Sequence, residues 1–247
     1  MRVPAIEVHG LCKRYGPVVA VDGISFDVPE GATCALLGGN GAGKTTTLGM
    51  LLGLLLPSSG SIRILGVDMV KNRYAALSRM NFTSPYVDLP HRLTVKQNLD
   101  VYARLYGIRH RARRLRSLAE TFDLEALMHR SYGSLSAGQR TRVALAKALL
   151  NEPEVLLMDE PTASLDPASA DTVRTFLKAY QQRSGSTVLL ASHNMQEVER
   201  LCDSVLILKQ GRIVDQGTPA MLVQKYGRDS LEQVFIDIAR DREHQSA

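Results

Sequence analysis

The sequence predicts an α/β fold built on a parallel sheet, and three observations predict it. "CALLG" (34–38), "EVLLMDE" (154–160) and "STVLLAS" (186–192) are continuous apolar runs, as strands buried on both faces are. Helical segments separate these runs, as crossovers between parallel strands require. Nearer the N-terminus the pattern changes to alternation, in "IEVHGL" (6–11) and "SIRILG" (61–66), which suits strands with one solvated face.

Taken in order, the alternating strands have turn positions at Gly16, Gly23 and Gly31. After the 34–38 strand, Leu48, Leu51, Leu52 and Leu55 share one helix face, and Pro57 is expected to stop that helix. From about Ser84 to Ser136 the pattern is helical, with "VKQNLDVYARLYG" (95–107) and "RRLRSLAETFDL" (113–124) separated around Gly107. "VLILKQGRIVDQG" (205–217) is expected to close the core as a hairpin turning at Gln210-Gly211. The sequence contains no internal repeat and no low-complexity linker.

With 247 residues and 45% hydrophobic content, the chain can bury a full core as one large domain or a core with an inserted subdomain. The opening "MRVPAIEVHG" has no apolar h-region, so no signal peptide is expected. The longest apolar run, Leu48 to Leu56, is broken by Gly49 and Gly53. It is well short of the ~20 residues a membrane-spanning helix needs, so a soluble chain without direct membrane insertion is expected. Cys12, Cys34 and Cys202 are scattered and lack C-x-x-C spacing, which argues for a reducing compartment rather than disulfides or structural zinc. The net charge of +5 is too small to indicate nucleic acid by itself. The basic stretch "GIRHRARRLR" (107–116) fits a solvated helix face, or a contact with anionic headgroups or nucleic-acid phosphates.

"GGNGAGKTT", Gly38-Gly39-Asn40-Gly41-Ala42-Gly43-Lys44-Thr45-Thr46, matches G-x-x-x-x-G-K-[ST] between a buried strand and a helix. Glycines there let backbone N–H groups face phosphates, and the helix N-terminus adds partial positive charge. Lys44 suits the β- and γ-phosphates, and the Thr45 hydroxyl suits Mg²⁺. In "VLLMDEPTASLD" (155–166), Asp159 ends an apolar strand where its carboxylate can hold Mg²⁺ directly or through water. Glu160 follows, facing differently, and is placed to polarise an attacking water. His193 follows the strand "TVLLA", where it is either structural or a donor to a γ-phosphate oxygen. Tyr15, in "KRYG", either packs in the core or stacks on an adenine ring.

A second anion-suited loop stands at "YGSLSAGQRTRV" (132–143), where Ser136-Ala137-Gly138-Gln139 runs into a helix. The order of phosphate loop, "LSAGQ", "LLMDEPTASLD" and His193 resembles the ATP-binding subunit of ABC transporters over nearly the whole chain. That resemblance implies a P-loop NTPase core with a parallel sheet, an N-terminal antiparallel β subdomain and an inserted α-helical subdomain at about 84–140. The whole of 1–247 would then be one ATP-binding domain, with a C-terminal tail at about 226–247. It implies that Tyr15 is the adenine-stacking aromatic, Ser136 to Gln139 the signature loop, Asp166 the aspartate that crosses between subunits, and His193 the switch histidine.

The second loop is explained by the same resemblance. A signature loop caps the γ-phosphate of ATP held by another subunit, so two chains pair head-to-tail, here as a homodimer. Closure around ATP and Mg²⁺ would drive a separate transmembrane permease, holding the chain at the cytoplasmic face of the inner membrane. The tail "YGRDSLEQVFIDIAR" (226–240) resembles those of ATPases serving drug, lipid or polysaccharide exporters, and also suits an amphipathic helix packed on its own core. Three positions depart from the family pattern. Gly39 stands where proline is common, Ala137 replaces a glycine, and Ser84 or Pro85 occupies the place of a glutamine that touches Mg²⁺. Gln97 lies too far along to substitute for it. The rival readings are a soluble ABC-type ATPase acting on ribosomes or DNA, and a nucleotide-dependent regulatory module with little turnover. The first is disfavoured because neither a fused second half nor a long coiled coil is present, and no nucleic-acid partner is expected.

Overall fold

Residues 4–85, 87–163 and 165–240 are described by the computed structural model. Residues 241–247 of the tail and Ser164 of the "DEPTASLD" stretch lie outside them. The chain divides into two compact units, one of residues 1–73 with 187–247 and one of residues 74–186.

In the first unit, the fully apolar strand β3 (Thr33–Leu37) is buried at every position. It pairs in parallel with β8 (Thr187–Ser192) on one side and β9 (Ser204–Lys209) on the other. β8 is likewise buried throughout, as its unbroken apolar run predicts. β10 (Arg212–Gly217) extends the sheet antiparallel to β9, across the turn at Gln210 and Gly211. Both turn residues have positive φ, 50° and 77°, as a two-residue hairpin of this kind requires.

A second, antiparallel sheet has the order β2-β1-β4-β5. Its strands are β1 (Pro4–Tyr15), β2 (Val18–Pro29), β4 (Ser59–Ile64) and β5 (Val67–Asp68). Along β1 the alternation breaks where Gly10 takes a φ of 55° and the register with β2 shifts between Val8 and Leu11.

Helix α1 (Lys44–Leu51) stops well short of Pro57, contrary to the apolar spacing. Its C-cap is Leu52, and Gly53 turns left-handed with a φ of 66°. The Gly53 N–H donates to Met50 O and the Leu54 N–H to Gly49 O, a Schellman closure. Leu54 is therefore left 76% exposed, outside the helix. The unit is completed by α7 (Met195–Leu201), α8 (Pro219–Tyr226) and α9 (Leu231–Arg240).

The chain passes from the first unit to the second within the short helix α2 (Arg73–Leu77). In the second unit, β6 (Met80–Thr83) pairs in parallel with the fully buried β7 (Val155–Asp159). The segment between them supplies α3 (Val95–Leu105), α4 (Arg111–Thr121) and α5 (Ala137–Ala148), and α6 (Pro167–Ser184) follows β7. Among the described residues no helix is long and apolar enough to cross a membrane.

The basic run is partly consumed by the fold. Arg111 pairs with Asp100 of α3 at 3.1 Å. Arg114 donates to the carbonyls of Leu149 and Leu150, which end α5, and pairs with Glu152 at 2.9 Å. Arg113 and Arg116 face solvent.

Candidate nucleotide site

The candidate phosphate loop, 38–46, has glycines at 38 and 43 that cannot be replaced without moving backbone. A Cβ on Gly38 would lie 2.7 Å from Leu208 O and 2.8 Å from Ala42 Cβ. Gly43 holds a φ of 106°, and a Cβ there would lie 2.7 Å from Ala20 O. Gly43 is the N-cap of α1 and supplies no side-chain cap, which suits a helix start that faces an anion. Gly39, by contrast, has open space where a Cβ would stand, so its lack of a side chain relieves no clash.

Lys44 donates to the carbonyls of Gly38 at 2.5 Å and Gly39 at 3.2 Å, which holds its ammonium against the loop. The next residue, Thr45, is exposed at the first turn of α1, whereas Thr47 turns inward and bonds Gly43 O at 2.9 Å. Asn40 and Gly41 lie exposed at the tip of the loop, Ala42 is buried, and Thr46 is half-buried. In the same unit, His193 is exposed directly after β8, and Asn194 caps α7 by accepting from the Glu197 N–H. Tyr15 is 47% exposed at the end of β1, with Lys13 Nζ 5.0 Å from its ring centroid. That exposure rules out the packed-core alternative.

The second unit carries the carboxylates. Asp159 ends β7 almost completely buried. Glu160 takes a φ of 48°, a left-handed turn that is unusual for a residue with a Cβ and swings its side chain off the strand direction. Glu160 lines a cavity of about 350 Å³ together with Ser84, Pro85, Ala137 and Arg140. Ser84, directly after β6, is buried, while Pro85 is exposed. Of these two, the buried serine presents the polar group that shares a cavity with Glu160. Gln97 is occupied elsewhere: its side chain accepts from the Thr94 N–H at 2.8 Å, closing a capping box on α3.

Ser136 is the N-cap of α5, in a capping box with Gln139. Its Oγ accepts from the Gln139 N–H, and the Gln139 side chain accepts from the Ser136 N–H at 3.0 Å. Ala137 is exposed, and a Cβ on Gly138 would meet Leu165 Cδ2 at 3.3 Å. Asp166 is the N-cap of α6 and accepts from the N–H groups of Ala168 and Ser169, each at 3.1 Å. Hydrogen bonds from Ser169 hold its carboxyl below the usual aspartate range. The Asp166-Pro167 pair is a helix-start signal, with a capping acid followed by proline at N1.

Sequence reasoning missed the wall of the 350 Å³ cavity formed by Asp88 and Tyr132. His91 joins them, touching the Asp88 carboxylate and packing edge-on to the Tyr132 ring. Burial and the adjacent Asp88 push the Tyr132 hydroxyl up to about 12, so it stays protonated.

The ABC transporter family model matches residues 21–163, more than half of the chain. The chain belongs to that family. The ABC domain is 39% identical over 238 residues to "Nod factor export ATP-binding protein I" of Ralstonia nicotianae, covering 95% of this chain and 74% of that one. A solved structure titled "Structure of ATP binding subunit of ABC transporter" superposes with a TM-score of 0.87 at 29% identity, covering 95% of this chain and 99% of the other. Another, cbiO1 from Clostridium perfringens, titled as part of the ABC transporter complex cbiONQ, gives 0.78 at 29% identity, covering 97% and 95%. In this ABC ATPase the candidate phosphate loop and His193 lie on one unit, and Asp159, Glu160 and the Ser136 loop on the other.

Proposed function

We propose that this ABC ATPase is the motor subunit of an exporter, hydrolysing ATP at the cytoplasmic face of a membrane to drive a separate permease. Export is the activity named for the Ralstonia relative, and membership of the ABC transporter family favours a permease partner. The observation that carries the reading is the pair of anion-facing helix starts. α1 opens behind Gly43 without a side-chain cap, and α5 opens on the exposed Ser136. The first suits the phosphates of ATP on its own chain. The second suits the γ-phosphate of ATP on a second copy, which makes a head-to-tail homodimer the working assembly.

In this reading Lys44 and the loop N–H groups neutralise the β- and γ-phosphates, and Tyr15 stacks on the adenine. Glu160 takes a proton from the attacking water, and His193 donates to the γ-phosphate. The donor chemistry fits Mg²⁺: Thr45 offers a hydroxyl and Asp159 a carboxylate, both hard oxygens. Among the described residues no three His, Cys, Asp or Glu side chains cluster to hold a metal alone. In this reading the ion would be held chiefly through substrate phosphates and water, where it would neutralise developing charge. Asp166 crosses toward the second copy, and Ser84 takes the position where the family has glutamine.

The test is Glu160→Gln, measured by steady-state hydrolysis and by sizing with Mg-ATP. Turnover is expected to fall by about 100-fold or more, with ATP binding retained and a dimer accumulating. A variant that hydrolyses at the parent rate, or stays monomeric with bound ATP, refutes the mechanism.

A further inference from the structure

The phosphate loop rests on the strand end and turn at 208–211. Leu208 O lies against Gly38, and the Gly211 N–H donates to Ala42 O at 2.9 Å. Between those two contacts stands Lys209, whose side chain reaches α9. Its ammonium donates to the carbonyls of Ile238 and Ala239, in the last turn of α9. A lysine there satisfies carbonyls that the helix cannot bond itself and complements the negative end of its dipole.

Helix α9 is seated along its length and fastened at its other end. Leu231 and Val234 are fully buried and Ile238 nearly so. The Leu231 N–H donates to Glu199 Oε1 at 2.8 Å. Glu199 belongs to α7, the helix that starts just after His193. A helix of ten residues is about 15 Å long, so α9 reaches from the histidine's helix to the turn beneath the phosphate loop. Direct packing between α9 and the loop is incomplete. A cavity of about 240 Å³ is lined by Gly39 to Ala42 on one side and by Phe235, Ile238 and Ala239 on the other. Lys209 also lines it. The Lys209 contact is thus a polar bridge at the edge of a gap.

We propose that Lys209 is a positioning residue for ATP binding: by fastening α9 to the 208–211 turn, it sets the shape of the phosphate loop without touching nucleotide. Glu199 is the second fastening of the same strap. The proposal rests on Gly38–Thr46 being the phosphate site. That assignment is checked separately by Lys44→Ala, which must abolish binding of a fluorescent ATP analogue whatever Lys209 does.

The experiment uses the full chain. Lys209→Met keeps the aliphatic stem and removes the donor, while Lys209→Arg keeps the charge. Lys209→Met is expected to raise both KM for ATP and the dissociation constant of MANT-ATP by about five- to tenfold. kcat should stay within about twofold of the parent, and Lys209→Arg should stay near the parent in all three quantities. Hydrogen exchange gives an independent readout: in Lys209→Met, peptides covering 38–43 should exchange faster, together with those covering 231–240. Glu199→Ala should produce the same pair of changes from the other end. An unchanged KM in a folded Lys209→Met, failure of Arg to rescue, or faster exchange confined to α9 in either variant overturns the proposal.

Discussion

Replacing Arg114 with methionine separates architecture from ligand binding within the basic run. The side chain of Arg114 is 19% exposed, and its guanidinium holds the carbonyls of Leu149 and Leu150, residues that are themselves buried. A hydrogen bond to a charged group contributes about 1.5–3 kcal/mol. The pair with Glu152, whose side chain is 71% exposed, adds little, about 0–1 kcal/mol. Methionine preserves the apolar stem but leaves two carbonyls at the end of α5 to whatever water reaches them. Counting one bond fully and the other at half gives a loss of about 3 kcal/mol. For a chain of this size that corresponds to a fall in Tm of about 6–12 °C. Arg113→Met and Arg116→Met, on the exposed face of the same helix, should each change stability by less than about 0.5 kcal/mol.

The assay is thermal unfolding followed by circular dichroism at low and high salt. Salt should leave the Arg114 effect largely intact, because that interaction is mostly hydrogen bonding to buried carbonyls. A Tm within about 2 °C of the parent, or an equal loss in Arg113→Met, refutes the reasoning. The outcome matters for function as well. A blanket neutralisation of 109–116 that lowers activity would mimic a lost ligand site, when one arginine had merely released the end of α5.

Two further predictions test the loop and the thiols. Gly38→Ala places a methyl 2.7 Å from Leu208 O, a backbone atom that cannot swing aside, so ATP affinity measured by calorimetry should fall at least about tenfold; parent-like affinity would mean the loop is free to shift. Burial pushes the Cys34 thiol up to about 11 and that of Cys202 well above its ordinary value, so a thiol-reactive dye at neutral pH should label only half-buried Cys12 in the folded protein; rapid labelling of Cys34 would contradict the packing around β3.

What could be seen in the sequence divides along the range of the interactions involved. The buried strands were legible because "CALLG", "EVLLMDE" and "STVLLAS" need apolar residues at every position, a local signal. The Gln210-Gly211 turn was legible through Gly211, which takes positive φ without steric cost, whereas Gln210 takes it against the preference of its residue type. The end of α1 was misplaced because leucine spacing alone suggested continuation, whereas Gly53 supplied a left-handed stop four residues before Pro57. Arg114 and Lys209 were invisible as fastenings. Each bonds backbone carbonyls some 30 residues away, and a carbonyl carries no mark in the sequence. The start of α6 is written in Asp166-Pro167, a capping acid followed by proline at N1.

One oxygen in the structure answers to two constituencies. Ser136 Oγ accepts from the Gln139 N–H to begin α5, which occupies a lone pair and leaves its hydrogen to be given outward. Folding asks this position only for an acceptor, and aspartate would serve the helix as well as serine does. A phosphate asks the same position for a donor and repels a carboxylate. The two demands agree on a hydroxyl and diverge on a charge. If the proposed pairing holds, a chain bearing aspartate at 136 would therefore keep its helix and its melting temperature while turning away the anion of its neighbour, a lesion that stability measurements would never register.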